Sequence, residues 1–112
     1  MELVHKTVGS VVVVKPGESR LDARSADALK DRLHALIGAG NRHIVLDLSS
    51  VVFVDSSGLG AIVSAIKALA DGGGMVICGA RDAVRGVFKM TRLDKVVRLC
   101  ATEDEAVAAL SC

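Results

Sequence analysis

The sequence contains no tryptophan and no tyrosine, and its only aromatic residues are Phe53 and Phe88. Proteins that grip single-stranded nucleic acid stack bases on aromatic side chains, so that platform is missing. A basic footprint is missing too, since 14 lysines and arginines against 13 acidic residues leave a formal net charge of +1. Nucleic acid is therefore not an expected partner. Proline is nearly absent, with Pro16 alone, and no linker, repeat or low-complexity tract divides the chain. With 51% hydrophobic residues, the 112 residues suffice for one domain over 1–112 built on an aliphatic core.

Cysteine is sparse and unpaired in spacing: Cys78, Cys100 and Cys112 form no C-x-x-C pair of the kind that holds a metal or a redox couple. Reduced thiols in a cytoplasmic protein are the simpler account. Cys78 ends the apolar run Met75-Val76-Ile77-Cys78 and reads as a small buried hydrophobe, whereas the terminal Cys112 is expected to be exposed. His5, His34 and His43 are scattered, with no H-E-x-x-H or comparable ligand spacing, so no metal or cofactor is expected. Residues 1–15 lack the layout of a signal peptide, and no apolar run approaches the ~20 residues of a membrane helix. A soluble, cytoplasmic protein without direct membrane insertion is the expectation.

What is present is a clear alternation. Leu3–Thr7 and Ser10–Lys15 are rich in β-branched residues and separated by Val8-Gly9, which predicts an antiparallel hairpin stopped by Pro16-Gly17. From Ala23, the residues Ala26, Leu29, Leu33, Leu36 and Ile37 recur every three or four positions, predicting a helix that Gly38 or Gly40 ends. His43–Leu48 is a near-continuous apolar strand of the kind covered on both faces. A second helix is expected from about Ser57 to Asp71, closed by Gly72-Gly73-Gly74, followed by a buried strand at Met75–Cys78. Arg81–Met90 predicts a third helix with Val84, Val87 and Phe88 inward, Val96–Leu99 an edge strand, and Thr102 with Glu105 a capping box opening a last helix. The class is α/β, with a mixed, mostly parallel sheet of four to five strands flanked by about four helices.

The most informative stretch is Val51-Val52-Phe53-Val54-Asp55-Ser56-Ser57-Gly58-Leu59-Gly60, an apolar run that ends in an acid, two hydroxyls and a glycine. Ile62, Ala65, Ile66 and Leu69 then follow at helical spacing, so Ser56 and Ser57 lie where a helix exposes unpaired N–H groups. Two readings stay open on spacing alone. Asp and Ser are ordinary N-caps, and a helix N-terminus also receives phosphate. Asp22 likewise precedes a helix and reads as its N-terminal cap. Arg81, Arg85 and Lys89, four apart, read first as a solvated stripe. A catalytic serine is not indicated, because Asp55-Ser56-Ser57-Gly58 is not a G-x-S-x-G elbow and no histidine converges on it; the protein reads as no enzyme.

Asp55-Ser56-Ser57-Gly58-Leu59-Gly60 resembles the signature of the STAS-domain anti-sigma factor antagonists. The likeness extends to Ser19-Arg20-Leu21-Asp22-Ala23, Ile44-Val45-Leu46-Asp47-Leu48 and Thr91-Arg92-Leu93-Asp94-Lys95-Val96, so it covers essentially the whole chain; Ser19 stands where many members carry glycine. The resemblance implies a single STAS domain and a partner-switching regulator. It implies that Ser56, with Ser57 the alternative, is phosphorylated by a partner that is both anti-sigma factor and serine kinase. Asp22, Asp55, Ser56, Ser57 and Gly58 would form the docking surface, and a serine phosphatase of the PP2C type would reset the switch. STAS domains also serve transport, so the other implied role is a subunit of an ABC-type membrane transport complex that binds its ATPase without phosphorylation.

Overall fold

Four consecutive valines, Val11 to Val14, are all buried, which a strand allows only where its sheet is covered on both faces. They belong to β2 (Val11–Pro16), which pairs antiparallel with β1 (Leu3–Val8) and parallel with β4 (His43–Asp47). In the computed structural model, which describes residues 2–111, β6 (Gly74–Cys78) and β7 (Arg98–Cys100) complete a five-stranded sheet of order β1-β2-β4-β6-β7. Every pairing beyond the hairpin is parallel. A second, two-stranded parallel ribbon joins β3 (Arg20–Leu21) to β5 (Phe53–Val54). The expected exposure of Cys112 lies outside the described residues.

Alternation along the strands sorts the core into two layers. Val12, Val14, Ile44, Leu46, Met75 and Ile77 face one way, onto α1 (Ala26–Gly38), α2 (Ser56–Ala68) and α3 (Asp82–Met90). These helices contribute Leu29, Leu33 and Ile37, then Ile62 and Ala65, then Val84 and Phe88, the stripes that the three-and-four spacing predicts. Val11, Val13, Val45, Val76, Cys78 and Cys100 face the other way, onto α4 (Glu103–Ser111), whose one buried residue is Ala106. One polar contact crosses between α1 and α2, where His34 Nε2 and Ser64 Oγ lie 2.8 Å apart.

Boundaries differ from the sequence expectation where side chains bind backbone. The hairpin turn is Gly9-Ser10, one residue later than expected, because Val8 pairs with Val11 and Gly9 supplies the positive φ (+61°) at the first central position. Pro16 closes β2 opposite Leu3 rather than standing beyond it. α1 begins at Ala26 instead of Ala23, since the Asp22 carbonyl accepts from the N–H groups of Ser25 and Ala26 and holds residues 23–25 as a turn. α2 stops at Ala68, short of Asp71, and Gly72 takes φ +80° in the turn to β6. The edge strand is Arg98–Cys100, because Leu93–Lys95 forms a 3-10 turn and Val97 is buried behind it. Arg81 precedes α3 as its N-cap, and its Nε donates to the Ser49 carbonyl, so only Arg85 and Lys89 of the expected stripe lie on the helix. The α4 capping box forms with one change. Glu105 N–H donates to Thr102 Oγ1 at 3.2 Å, while the Glu105 carboxylate reaches the N–H of Ala101.

Phe88 is fully buried and anchors α3 to the larger layer. Phe88→Ala is expected to cost about 3–5 kcal/mol, through lost burial and the cavity left behind, measured as the shift in urea unfolding free energy.

Candidate functional site

The short β3–β5 ribbon positions the site. Arg20 pairs with Phe53 and Leu21 with Val54, and the Asp55 N–H then donates to the Leu21 carbonyl at 3.1 Å. Leu21 and Val54 point into the core. Asp22 and Asp55 therefore leave the same end of two hydrogen-bonded strands, each half-buried, and α2 starts immediately after the second. Gly58 is what lets the helix start there. A Cβ at Gly58 would stand 2.9 Å from Leu21 Cβ and closer still to the Leu21 carbonyl oxygen, so only glycine allows α2 to lie this close to β3.

Asp55 is the N-cap of α2. Its backbone is extended, and its Oδ1 accepts from the N–H of Ser57 at 2.8 Å and of Gly58 at 3.2 Å. Two of the N–H groups that a helix leaves unpaired are thus already bound to an anion. Of the two readings that spacing left open, Asp55 fills the capping one, so a phosphate would meet N–H groups that its carboxylate already holds. Ser56 is the first helical residue and is exposed. Ser57 is half-buried and lines a shallow open cleft of about 480 Å³ between α1 and α2, with Ala26, Lys30 and Ala61 among its other walls. The two serines therefore differ in access.

Asp22 does not cap α1. The N-cap is Ser25, which makes no side-chain cap bond to the helix; its hydroxyl accepts from the Asp22 N–H and donates back to the Arg20 carbonyl at 2.9 Å. Ser25 is a buried polar residue whose hydroxyl stitches the end of β3 to the turn. Asp22 Oδ1 accepts from the Arg24 N–H at 3.0 Å. That bond, assisted by Arg20, holds the Asp22 carboxyl below the usual carboxylate range against a smaller opposing effect of desolvation. Arg20 also lays its guanidinium over the Phe53 ring, 4.2 Å from the centroid, with Nε 3.4 Å from Asp22 Oδ2.

The structure thus brings Asp22, Asp55, Ser56, Ser57 and Gly58 to one end of the ribbon. It adds Arg20, Phe53 and Ser25, which the sequence reading did not single out. Phe53 was legible as one of two aromatics, but its exposed, arginine-covered setting depends on a pairing of two dipeptides more than thirty positions apart. Chemically, the site offers an exposed hydroxyl beside two carboxylates and one arginine. Ser56 Oγ makes no hydrogen bond among the described residues. No group of three potential metal ligands occurs among them either.

Residues 2–106 match the family model described as the STAS domain. The chain belongs to the STAS domain family. An anti-sigma F factor antagonist from Paenibacillus polymyxa is 32% identical over 112 residues, covering 98% of this chain and 93% of that one. The crystal structure of an anti-sigma factor antagonist from Mycobacterium paratuberculosis superposes with a TM-score of 0.91 at 27% identity, over 99% of this chain and 94% of that one. The unphosphorylated form of the antagonist SpoIIAA shares the fold, with a TM-score of 0.82 at 24% identity over 98% and 96% of the two chains. The hairpin, the mostly parallel five-stranded sheet and the four helices are the STAS fold in this chain.

Asp55→Ala is expected to lower stability by about 0.5–2 kcal/mol, and Asp55→Asn by less, since asparagine also caps; urea unfolding midpoints measure both. Asp22 gives a pH signature. Its folded pKa is depressed, so its contribution is present above the unfolded carboxylate value and is lost as pH falls through the folded one. Stability of Asp22→Asn should accordingly fall less steeply on the acid side than that of the wild type in unfolding midpoints taken across that range.

Proposed function

We propose that this protein is a phosphorylation-controlled anti-sigma factor antagonist, a single cytoplasmic STAS domain over 1–112 with Ser56 as phosphate acceptor. The observation that carries the reading is the exposed Ser56 at the first position of α2, next to an Asp55 whose carboxylate has already taken the N–H groups of Ser57 and Gly58. The names of the similar antagonists from Paenibacillus polymyxa and Mycobacterium paratuberculosis support the general role.

In the unmodified state, Asp22, Asp55, Ser56, Ser57, Gly58 and the exposed side of α2 dock on an anti-sigma factor, which releases its sigma factor. That partner is also the serine kinase, so the chemistry resides in the partner and this chain is its substrate. A phosphate on Ser56 brings about −1.5 to −2 charge. It arrives beside the Asp55 carboxylate and finds the N–H groups of Ser57 and Gly58 occupied, so the helix N-terminus offsets the repulsion only in part. An uncompensated charge buried on docking costs several kcal/mol, and every ~1.4 kcal/mol is tenfold in affinity. One phosphate is enough for a switch without a change of fold. A serine phosphatase of the PP2C type restores the docking form.

The test is capture on immobilised wild type and Ser56→Asp from the native lysate, addition of ATP to the captured complex, and calorimetry with the identified kinase. Ser56→Asp should bind at least about tenfold more weakly than wild type. Ser56→Ala should bind as wild type and take no phosphate, and Ser57→Ala should still be labelled. Equal affinities across the series would overturn the switch, labelling lost only in Ser57→Ala would move the acceptor to Ser57, and equal recovery of a transporter ATPase on both baits would move the function to a transport complex.

A further inference from the structure

The face of the sheet away from the phosphate site carries a pair of thiols that the proposed function does not use. Cys78 ends β6, Cys100 ends β7, and the two are direct partners in the parallel register. Both side chains belong to the smaller buried layer beneath α4, and neither is in a disulfide. Neighbouring strands lie about 4.8 Å apart, inside the roughly 4.4–6.8 Å over which Cα atoms are bridged by a disulfide. The Cβ atoms rise side by side from the sheet, so closing the bond draws β7 toward β6 by about 1 Å, to the ~3.8 Å that a relaxed disulfide prefers. β7 is a three-residue edge strand and has no outer neighbour in the sheet to resist the movement. A bond closed under such strain is a readily reduced one.

We propose that Cys78 and Cys100 form a reversible disulfide on exposure to a hydroperoxide, and that α4 is the cover whose displacement admits the oxidant. In the first step one thiolate attacks the peroxide, forming a sulfenic acid and releasing water, or an alcohol from an organic peroxide. In the second the neighbouring thiol attacks that sulfur, the S–S bond forms and a second water leaves. Two thiols are oxidised and one peroxide bond is reduced, and a dithiol reductant reverses the change.

The cover is thin. α4 has nine residues and a single fully buried side chain, Ala106, with Val107, Ala109 and Leu110 only partly buried against the sheet. A helix of that length does not stand without its packing. It is held at its first turn by the Thr102 cap and by an ion pair between Lys6 Nζ and Glu103 Oε2 at 2.8 Å. With α4 seated, burial pushes the Cys78 thiol up to about 12, with Asp47 and Glu103 adding to the effect. The seated form is therefore slow to react, and reaction tracks the opening of α4.

Cys112→Ser serves as the background, since it removes the third thiol. It is treated with hydrogen peroxide, quenched, alkylated under denaturing conditions and mapped by mass spectrometry. The expected product is a Cys78–Cys100 crosslinked peptide that a dithiol reductant reopens. Adding Lys6→Ala and Thr102→Ala, with folding checked by circular dichroism, should raise the rate of its formation about tenfold, the combined weight of a helix cap and an exposed ion pair. Adding Cys100→Ser instead should send Cys78 on to sulfinic acid. Equal rates with and without the α4 ties would overturn the cover, and oxidation of either cysteine without the crosslink, or no reaction in any variant, would overturn the disulfide.

Discussion

The architecture around Ser56 depends on how closely α2 approaches β3 at Gly58. Without a Cβ at that position, the helix backbone settles against the Leu21 carbonyl, and the same carbonyl accepts the Asp55 N–H. Two consequences follow from one missing side chain. The cap residue is pinned to the ribbon by its backbone N–H and to the first turn of α2 by its carboxylate, and the next residue, Ser56, is exposed. A strand of two residues would be too short to persist alone; here it persists because Leu21 and Val54 are buried and α2 closes over it.

The sheet and helices were legible because their signals are periodic and local. Leu29, Leu33 and Ile37 announce α1, and Ile44-Val45-Leu46 announce a strand enclosed on both faces. Asp55, Ser56, Ser57 and Gly58 were legible as a group because they are contiguous. The β3–β5 ribbon was not, since Arg20-Leu21 and Phe53-Val54 become strands only through each other. The role of Asp22 was hidden for a similar reason. Its chemistry is that of a cap, but the Ser25 hydroxyl intervenes and delays the helix, turning the carboxylate to the Arg24 N–H instead. The register that sets Cys78 beside Cys100 is likewise invisible in a sequence where they stand 22 positions apart.

The two faces of the sheet are built to different standards. Three helices and both phenylalanine-bearing segments serve the face that carries the site, with Phe88 sealing its layer. The other face rests on valines, two cysteines and one alanine, under a single helix. Small side chains bring α4 close to the sheet but bury little area per residue. Local stability therefore differs across the sheet, with the more deeply packed layer supporting the surface that carries Asp55 and Ser56.

The ladder pattern also bears on synthesis. Only β1 and β2 are sequence neighbours that pair; β2 then waits for β4, β4 for β6 and β6 for β7. Non-local parallel pairing is intrinsically slow. As the chain leaves the ribosome, the four valines of β2 emerge roughly thirty residues before the strand that covers their far edge. Such a segment, β-branched and uncharged, is a template for pairing with another nascent chain. Lys6 and Lys15, the first opposite Val13 and the second directly after Val14, place positive charge beside the run during that interval, so two surface lysines guard the chain before any site exists.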